Sequence, residues 1–434
     1  MNSRFIIIPG CCDLNRGDQA LGWETSRIAK DAGFIGDYSI LAEKGEPVEQ
    51  SIEEGYEILR PVLEHPSRKF SNKDNIIYNK ITKLTWGGVA LKDFFTSFRI
   101  LKSERYRKKI LQNYPNTEFA KTLKRFYECE AVFMKGGGLI QSHGGIMSTY
   151  ATYYRIYHIF LAEALGKPVY IMPNSFGPFK GPLVKWMVKK AFTKCEFISV
   201  RENKSKNVMQ DELNIKVSTF PDLAFYLQNG NIKKEELLEN LNIPKDKKIV
   251  AITMRPYRFP SSSNPELAYE KFKKEMRNFI KWLYQEGYMP LIVEHTFAIT
   301  SHENDGDCIT DVISGMDKNC YRLFSDRTIN CRQLKDVYGC CDYIVGTRFH
   351  SLIFSLSNMV PGIAISYDGY KSIGIMKDMK LDSYVIDISD VKADNLCLMF
   401  NEIVKNKDKI LENIGEYLCI ANKKRKKLIT LIKK

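Results

Sequence analysis

Short apolar runs alternate with helix-length stretches along most of the chain. That alternation restricts the fold to an α/β class with mostly parallel sheets. Residues 5–9, 131–134, 168–172, 197–200 and 217–220 read as strands of a first series, and residues 249–254, 289–294, 321–324, 343–345 and 362–366 as a second. Residues 17–32, 148–165 and 265–285 read as helices. Asp18 is placed to cap the first of these, and Gly33 to stop it. The Lys/Glu-rich stretch 228–248 reads as a linker. The expected organisation is two Rossmann-like domains facing across a cleft: residues 1–227, the linker, residues 249–392, and a helical tail 393–434. Residues 60–125 interrupt the first series as a helical, basic insertion suited to a lid or docking element.

Charge is concentrated rather than spread. Residues 60–125 hold 16 basic and 5 acidic side chains, a net of +11 within a formal total of +14. The run Lys423-Lys424-Arg425-Lys426-Lys427 forms a second cluster. Such clusters suit an anionic membrane surface, an anionic glycan or nucleic acid. They equally suit solvated helix faces, and no nucleic-acid-binding motif accompanies them. No apolar run approaches the roughly 18 residues of a membrane span, and residues 5–8 read as a core strand rather than a signal segment. The expectation is a cytoplasmic protein, held peripherally at the inner membrane face by its basic segments. Most of the eleven cysteines, such as Cys340, Cys341 and Cys397, lie inside apolar segments. Free buried thiols in a reducing compartment follow from this, with Cys11 and Cys12 placed after the first strand. The adjacent pairs Cys11-Cys12 and Cys340-Cys341 lack CxxC spacing, and the scattered histidines form no ligand motif, so no metal is expected.

In open parallel sheets ligands sit beyond the carboxyl ends of the strands, and the unusual motifs of this chain fall there. Asn15-Arg16-Gly17-Asp18 leads into a helix; the Asp18 carboxylate disfavours phosphate, so the loop suits a ligand bearing hydroxyls. Gly136-Gly137-Gly138 lets backbone N–H groups approach a ligand closely, and His143 follows it. Asn174 and Ser175 offer hydrogen bonds suited to sugar hydroxyls or a carboxylate. Neither a dinucleotide fingerprint nor a P-loop is present.

Cations mark four strand ends: Arg201, Arg255, Arg348 and Lys371. Buried cations need partners. Salt bridges to Asp222 and Glu202 are one possibility, and an anionic ligand carrying phosphate and carboxylate is the other. Arg348 and His350 flank Phe349, with Ser351 opening a helical stretch. If that segment stays extended, both side chains point the same way, and the histidine can trade protons near neutral pH.

The ordered set Asn15-x-Gly17-Asp18-x-Ala20, Gly136-Gly137-Gly138, Pro173-Asn174-Ser175-x-Gly177-Pro178, Ser199-Val200-Arg201-Glu202, Pro221-Asp222-x-Ala224-Phe225 and Arg348-x-His350-Ser351 resembles the polysaccharide pyruvyl transferase family. The resemblance runs from near residue 5 to about residue 375 apart from the insertion. It departs at Leu223, where the family often has proline. It implies a GT-B-like fold, a phosphoenolpyruvate co-substrate with no further cofactor, and a saccharide acceptor that is lipid-linked, polymeric or free. On that resemblance Arg348 and His350 are catalytic. Arg201, Arg255, Lys371 and Ser351 bind the donor, and Asn15, Asp18, Gly136, Gly137, Gly138, His143, Asn174 and Ser175 line the acceptor side. The competing expectations are a glycosyltransferase with a nucleotide-sugar donor, for which Glu294 and Asp368 would meet the ribose, and a non-catalytic glycan-binding relative.

Overall fold

The computed structural model describes residues 2–66, 80–297, 304–367 and 371–434. Contacts divide the chain into two compact units. One comprises Met1–Asp13, Leu21–Leu223 and Arg425–Lys434; the other comprises Leu14–Ala20 and Ala224–Lys424.

In chain order the first half of the sequence forms β1 (Arg4–Ile8), α1 (Arg16–Asp31), β2 (Asp37–Leu41), α2 (Glu49–Glu53), β3 (Glu57–Leu59), α3 (Lys80–Lys102), α4 (Glu104–Asn113), α5 (Glu118–Glu128) and β4 (Ala131–Met134). There follow β5 (Gly137–His143), α6 (Ile146–Ala164), β6 (Val169–Lys180), α7 (Val184–Phe192), β7 (Phe197–Val200), α8 (Asn203–Leu213) and β8 (Ser218–Thr219). The strands make one parallel sheet in the order β3-β2-β1-β4-β6-β7-β8, with β5 paired to β6. Phe5 sits in register with Tyr38 on one side and Ala131 on the other. Helices cover both faces, so central strands are unbroken apolar runs rather than alternating ones. Phe5, Ile6, Ile7, Val132 and Phe133 are all fully buried.

The second half forms α9 (Lys234–Asn240), β9 (Ile249–Thr253), α10 (Pro265–Gln285), β10 (Met289–Val293), α11 (Asp305–Ile313), β11 (Arg322–Phe324), α12 (Cys331–Gly339) and β12 (Tyr343–Gly346). Then come α13 (Phe349–Ser357), β13 (Gly362–Ser366), α14 (Lys371–Asp378), β14 (Val385–Asp387), α15 (Ala393–Lys405) and α16 (Lys407–Ile432). The parallel sheet order β11-β10-β9-β12-β13-β14 is that of a doubly wound Rossmann sheet, in which strand order reverses between β9 and β12. A ligand crevice opens at such a reversal, beyond the strand ends.

Several elements differ from the sequence reading. The stretch 228–248 is no plain connector: it contains α9, whose Leu237 and Leu238 are buried while its Lys and Glu face out. The tail 393–434 divides between the units. Leu428 and Ile432 are fully buried, and the Lys434 backbone N–H donates to Ala32 O at 3.1 Å. Residues 173–178, read as a turn, continue β6 because β5 pairs alongside them. The insertion is helical over α3, α4 and α5; its residues 67–79 lie outside the described residues. All eleven cysteines are free thiols.

Candidate functional site

At the reversal point of the second sheet, β12 ends at Gly346, where there is no room for a side chain. A Cβ there would stand 2.8 Å from Thr253 Oγ1 and 3.0 Å from Ser351 Oγ. The chain then turns at once into α13. Arg348 is its N-terminal flanking residue, with extended backbone, and the Ser351 hydroxyl donates to Arg348 O at 2.6 Å and meets Thr253 Oγ1 at 2.9 Å. The segment therefore does not stay extended past Arg348, and strand alternation does not govern where Arg348 and His350 point.

Arg348 is directed onto Asp305. Its Nε and Nη2 donate to Asp305 Oδ1 at 2.7 and 2.6 Å, with the carboxylate side chain fully buried. Asp305 Oδ2 also accepts the backbone N–H groups of His295 (3.1 Å) and Thr296 (3.0 Å). One carboxylate thus joins the start of α11, the end of β10 and the arginine after β12. Burial pushes the Asp305 carboxyl up to about 6, while Arg348 and the Thr296 N–H pull the other way. His295 is buried beside this pair. Its Nδ1 lies 3.1 Å from the Tyr338 hydroxyl, and its Nε2 has no hydrogen-bond partner among the described residues. Burial, then the charges of His350, Arg348 and Arg16, hold it far below the ordinary histidine range, so it stays neutral. Neither Asp305 nor His295 was singled out from sequence. The only signal was that His295 follows the strand-end Glu294.

The Asn15–Asp18 loop belongs with this unit. Asn15 bridges Thr296, and the Phe297 N–H donates to Leu14 O at 2.9 Å. The Gln19 side chain accepts the Cys331 N–H at 2.7 Å, and Arg16, fully buried, donates to Arg327 O at 2.8 Å. Helix α1 starts one residue earlier than expected, at Arg16, and its cap is Asn15, not Asp18. The Asn15 carbonyl accepts from Gln19 N at 2.9 Å, and its side-chain oxygen accepts from Asp18 N at 3.2 Å. Gly17 packs on the His350 ring, whose Nδ1 would be 2.0 Å from a Cβ at that position. Asn15, Asp18, Arg348, His350 and Ser351 are therefore gathered in one place. Arg255 follows β9, with its guanidinium 4.2 Å from the centre of the Tyr367 ring and within electrostatic reach of Asp305. Lys371 opens α14; its side chain, with Asp368, lies outside the described residues.

The remaining candidates lie in the first unit. Arg201 donates to Asp222 Oδ2 at 2.5 Å and to Ser175 Oγ at 2.6 Å, and lies 3.6 Å from Glu202. Ser175 in turn donates to Glu202 at 2.8 Å. The Asn174 amide donates to Lys135 O and Met172 O, at 2.8 and 2.9 Å, and is buried. These groups tie the interior of β6 to the residues that follow β4, β7 and β8. Gly136 is crowded, with Pro173 O 3.0 Å from a built Cβ, and Gly137 adopts φ +149°. Gly138 lies in β5, which ends at the exposed His143. Among the described residues no cluster of His, Cys, Asp and Glu is arranged to hold a metal ion.

Two doubly wound sheets, with a buried arginine–carboxylate pair and a histidine at the reversal point of the second, define an α/β protein of the GT-B class. Solved structures agree. The chain is similar to a glycosyltransferase from Rickettsia africae (TM-score 0.55, 13% identity, covering 100% of this chain and 98% of that one). It is also similar to a UDP-GlcNAc 2-epimerase from Neisseria meningitidis (TM-score 0.54, 10% identity, 100% of both chains). At such identities the likeness speaks for the fold alone. The polysaccharide pyruvyl transferase family model matches residues 15–369, and the chain belongs to that family. It is 24% identical over 306 residues to the amylovoran biosynthesis protein AmsJ of Erwinia amylovora, covering 69% of this chain and 70% of that protein.

Proposed function

We propose that the protein transfers a pyruvyl group from phosphoenolpyruvate to a saccharide in polysaccharide biosynthesis, forming a pyruvate ketal. Family membership and the similarity to AmsJ support the polysaccharide role. The observation that carries the donor assignment is the convergence of Arg348, fixed by Asp305, with His350, seated against Gly17, at the reversal point of the second sheet. A buried, preoriented guanidinium suits phosphate or carboxylate, and the charge that leaves with phosphate.

In this reading the His350 imidazolium protonates the methylene carbon of the enol, leaving the central carbon electron-deficient. A sugar hydroxyl attacks that carbon and the C–O bond to phosphate breaks, the electron pair leaving with phosphate. A second hydroxyl then closes the ketal. Of the two hydroxyl protons released, one restores the imidazolium and the other leaves with phosphate.

The test is a pair of measurements on the purified protein. Phosphoenolpyruvate, and not uridine diphosphate, is expected to raise the unfolding temperature, since a ligand selective for the folded state must do so. His350→Ala is expected to keep that stabilisation while losing about 10²–10⁴-fold in acceptor-dependent phosphate release. Stabilisation by uridine diphosphate alone, or near-normal turnover of His350→Ala, overturns the proposal.

A further inference from the structure

Helix α3 is apolar on two faces, and the fold covers one of them. Trp86, Ala90, Ser97 and Ile100 point inward and are buried. On the opposite stripe, Leu84, Leu91, Phe95 and Phe98 recur at helical spacing and are 76%, 59%, 60% and 45% exposed. A water-facing helix normally carries charge on that side. Helix α7 repeats the pattern: Val184, Met187 and Val188 are buried, while Trp186 and the preceding Leu183 are 57% and 67% exposed. Both helices border α6, and the three enclose an apolar groove of about 360 Å³ floored by Tyr153 and Phe160. Its rim is basic. Lys102, Lys190 and Lys194 line it, with the Lys190 ammonium 4.8 Å from the Trp186 ring centre and that of Lys102 5.9 Å from Phe98. Glu163 is the one acidic residue lining the groove among those described, and burial pushes its carboxyl up to about 7.

We propose that this face of the first unit docks on an anionic lipid bilayer. Phe95, Phe98, Leu183 and Trp186 enter the acyl boundary, and Lys102, Lys190 and Lys194 meet the headgroup phosphates. Aromatic and aliphatic side chains flanked by lysines are the composition of interfacial helices. The charge pattern selects a bilayer over a second copy of the chain. The exposed polar side chains of α7 are Lys185, Lys189 and Lys190, so self-pairing would set like charges together. Docking is peripheral, because no helix among the described residues is long and apolar enough to cross a membrane.

Vesicle co-sedimentation of the intact protein tests this, with phosphatidylglycerol–phosphatidylcholine vesicles against phosphatidylcholine alone. Binding is expected only with the anionic lipid, and is expected to weaken in about 1 M salt, where the Debye length is about 3 Å. Two triple variants at exposed positions, F95S/F98S/W186S and K102E/K190E/K194E, are each expected to lower the partition coefficient by about tenfold or more. Thermal unfolding checks that both remain folded. Equal binding to neutral vesicles, no binding, or unchanged partition of both folded variants overturns the proposal. So does a wild-type dimer in light scattering that F95S/F98S/W186S converts to monomer, which would make a second copy the occupant.

Discussion

Gly17 lies so close to His350 that a Cβ built on it would stand 2.0 Å from the imidazole Nδ1 and 2.5 Å from Cγ. The glycine is therefore required by the ring it faces, not by an unusual backbone angle, and the helix N-terminus and the imidazole are fitted to each other. Gly17→Ala should gain helix propensity, about 0.5–1 kcal/mol, while displacing the ring. A displacement of about 1 Å at a reacting group costs on the order of 10²-fold in rate. The expected outcome is a large loss of turnover with little loss of thermal stability, read by phosphate release alongside calorimetry.

Asp305 neutralises Arg348 and accepts two backbone N–H groups from one buried position. Removing one partner of such a pair leaves a buried charge, at about 3–5 kcal/mol, whereas replacing both by apolar groups costs far less. Asp305→Ala should lower unfolding free energy by that amount in urea denaturation. The double variant D305L/R348M should recover the part of the loss due to the unpaired guanidinium, but neither the part due to the orphaned His295 and Thr296 N–H groups nor the transfer activity.

Arg201 and Asp222 form a comparable pair in the first unit, with side chains 3% and 0% exposed. Asp222→Ala is expected to cost about 3–5 kcal/mol, visible as a shift in denaturation midpoint at unchanged slope. An effect below about 1 kcal/mol would show that the pair contributes no more than an exposed ion pair.

Glu163 gives a pH signature. Its folded carboxyl lies at about 7, raised from 4.5 chiefly by burial, with Lys194 and Lys190 opposing. A raised carboxyl means that the folded state binds the proton more tightly than the unfolded chain, so its contribution is lost as pH rises through about 7. Wild-type stability should fall between about pH 5 and 8 relative to Glu163→Gln, with the two curves parallel above pH 8. Melting temperatures of both proteins across that range provide the check.

The two α/β series, the strand-end motif around Arg348 and the helical character of the insertion read at 60–125, as far as its residues are described, were legible in the sequence. Apolar periodicity and helix-breaking residues are local properties, and these elements bury their apolar runs within a few residues of where the pattern appears. Pairing across the chain is not local. That Leu14–Ala20 joins the second unit depends on Thr296, Phe297, Arg327 and Cys331, more than 270 positions away. That Arg348 is held by Asp305, with neutral His295 beside it, follows from the parallel β10-β9-β12 order bringing three loops to one sheet end. The apolar content of α3 was visible, yet only packing decided that Trp86 and Ile100 are buried while Leu91 and Phe95 face water. The sequence determined the central strands and the long helices; tertiary structure decided the added strands β2, β3, β5 and β14 and which charges meet, because pairing, burial and long-range hydrogen bonding have no period to read.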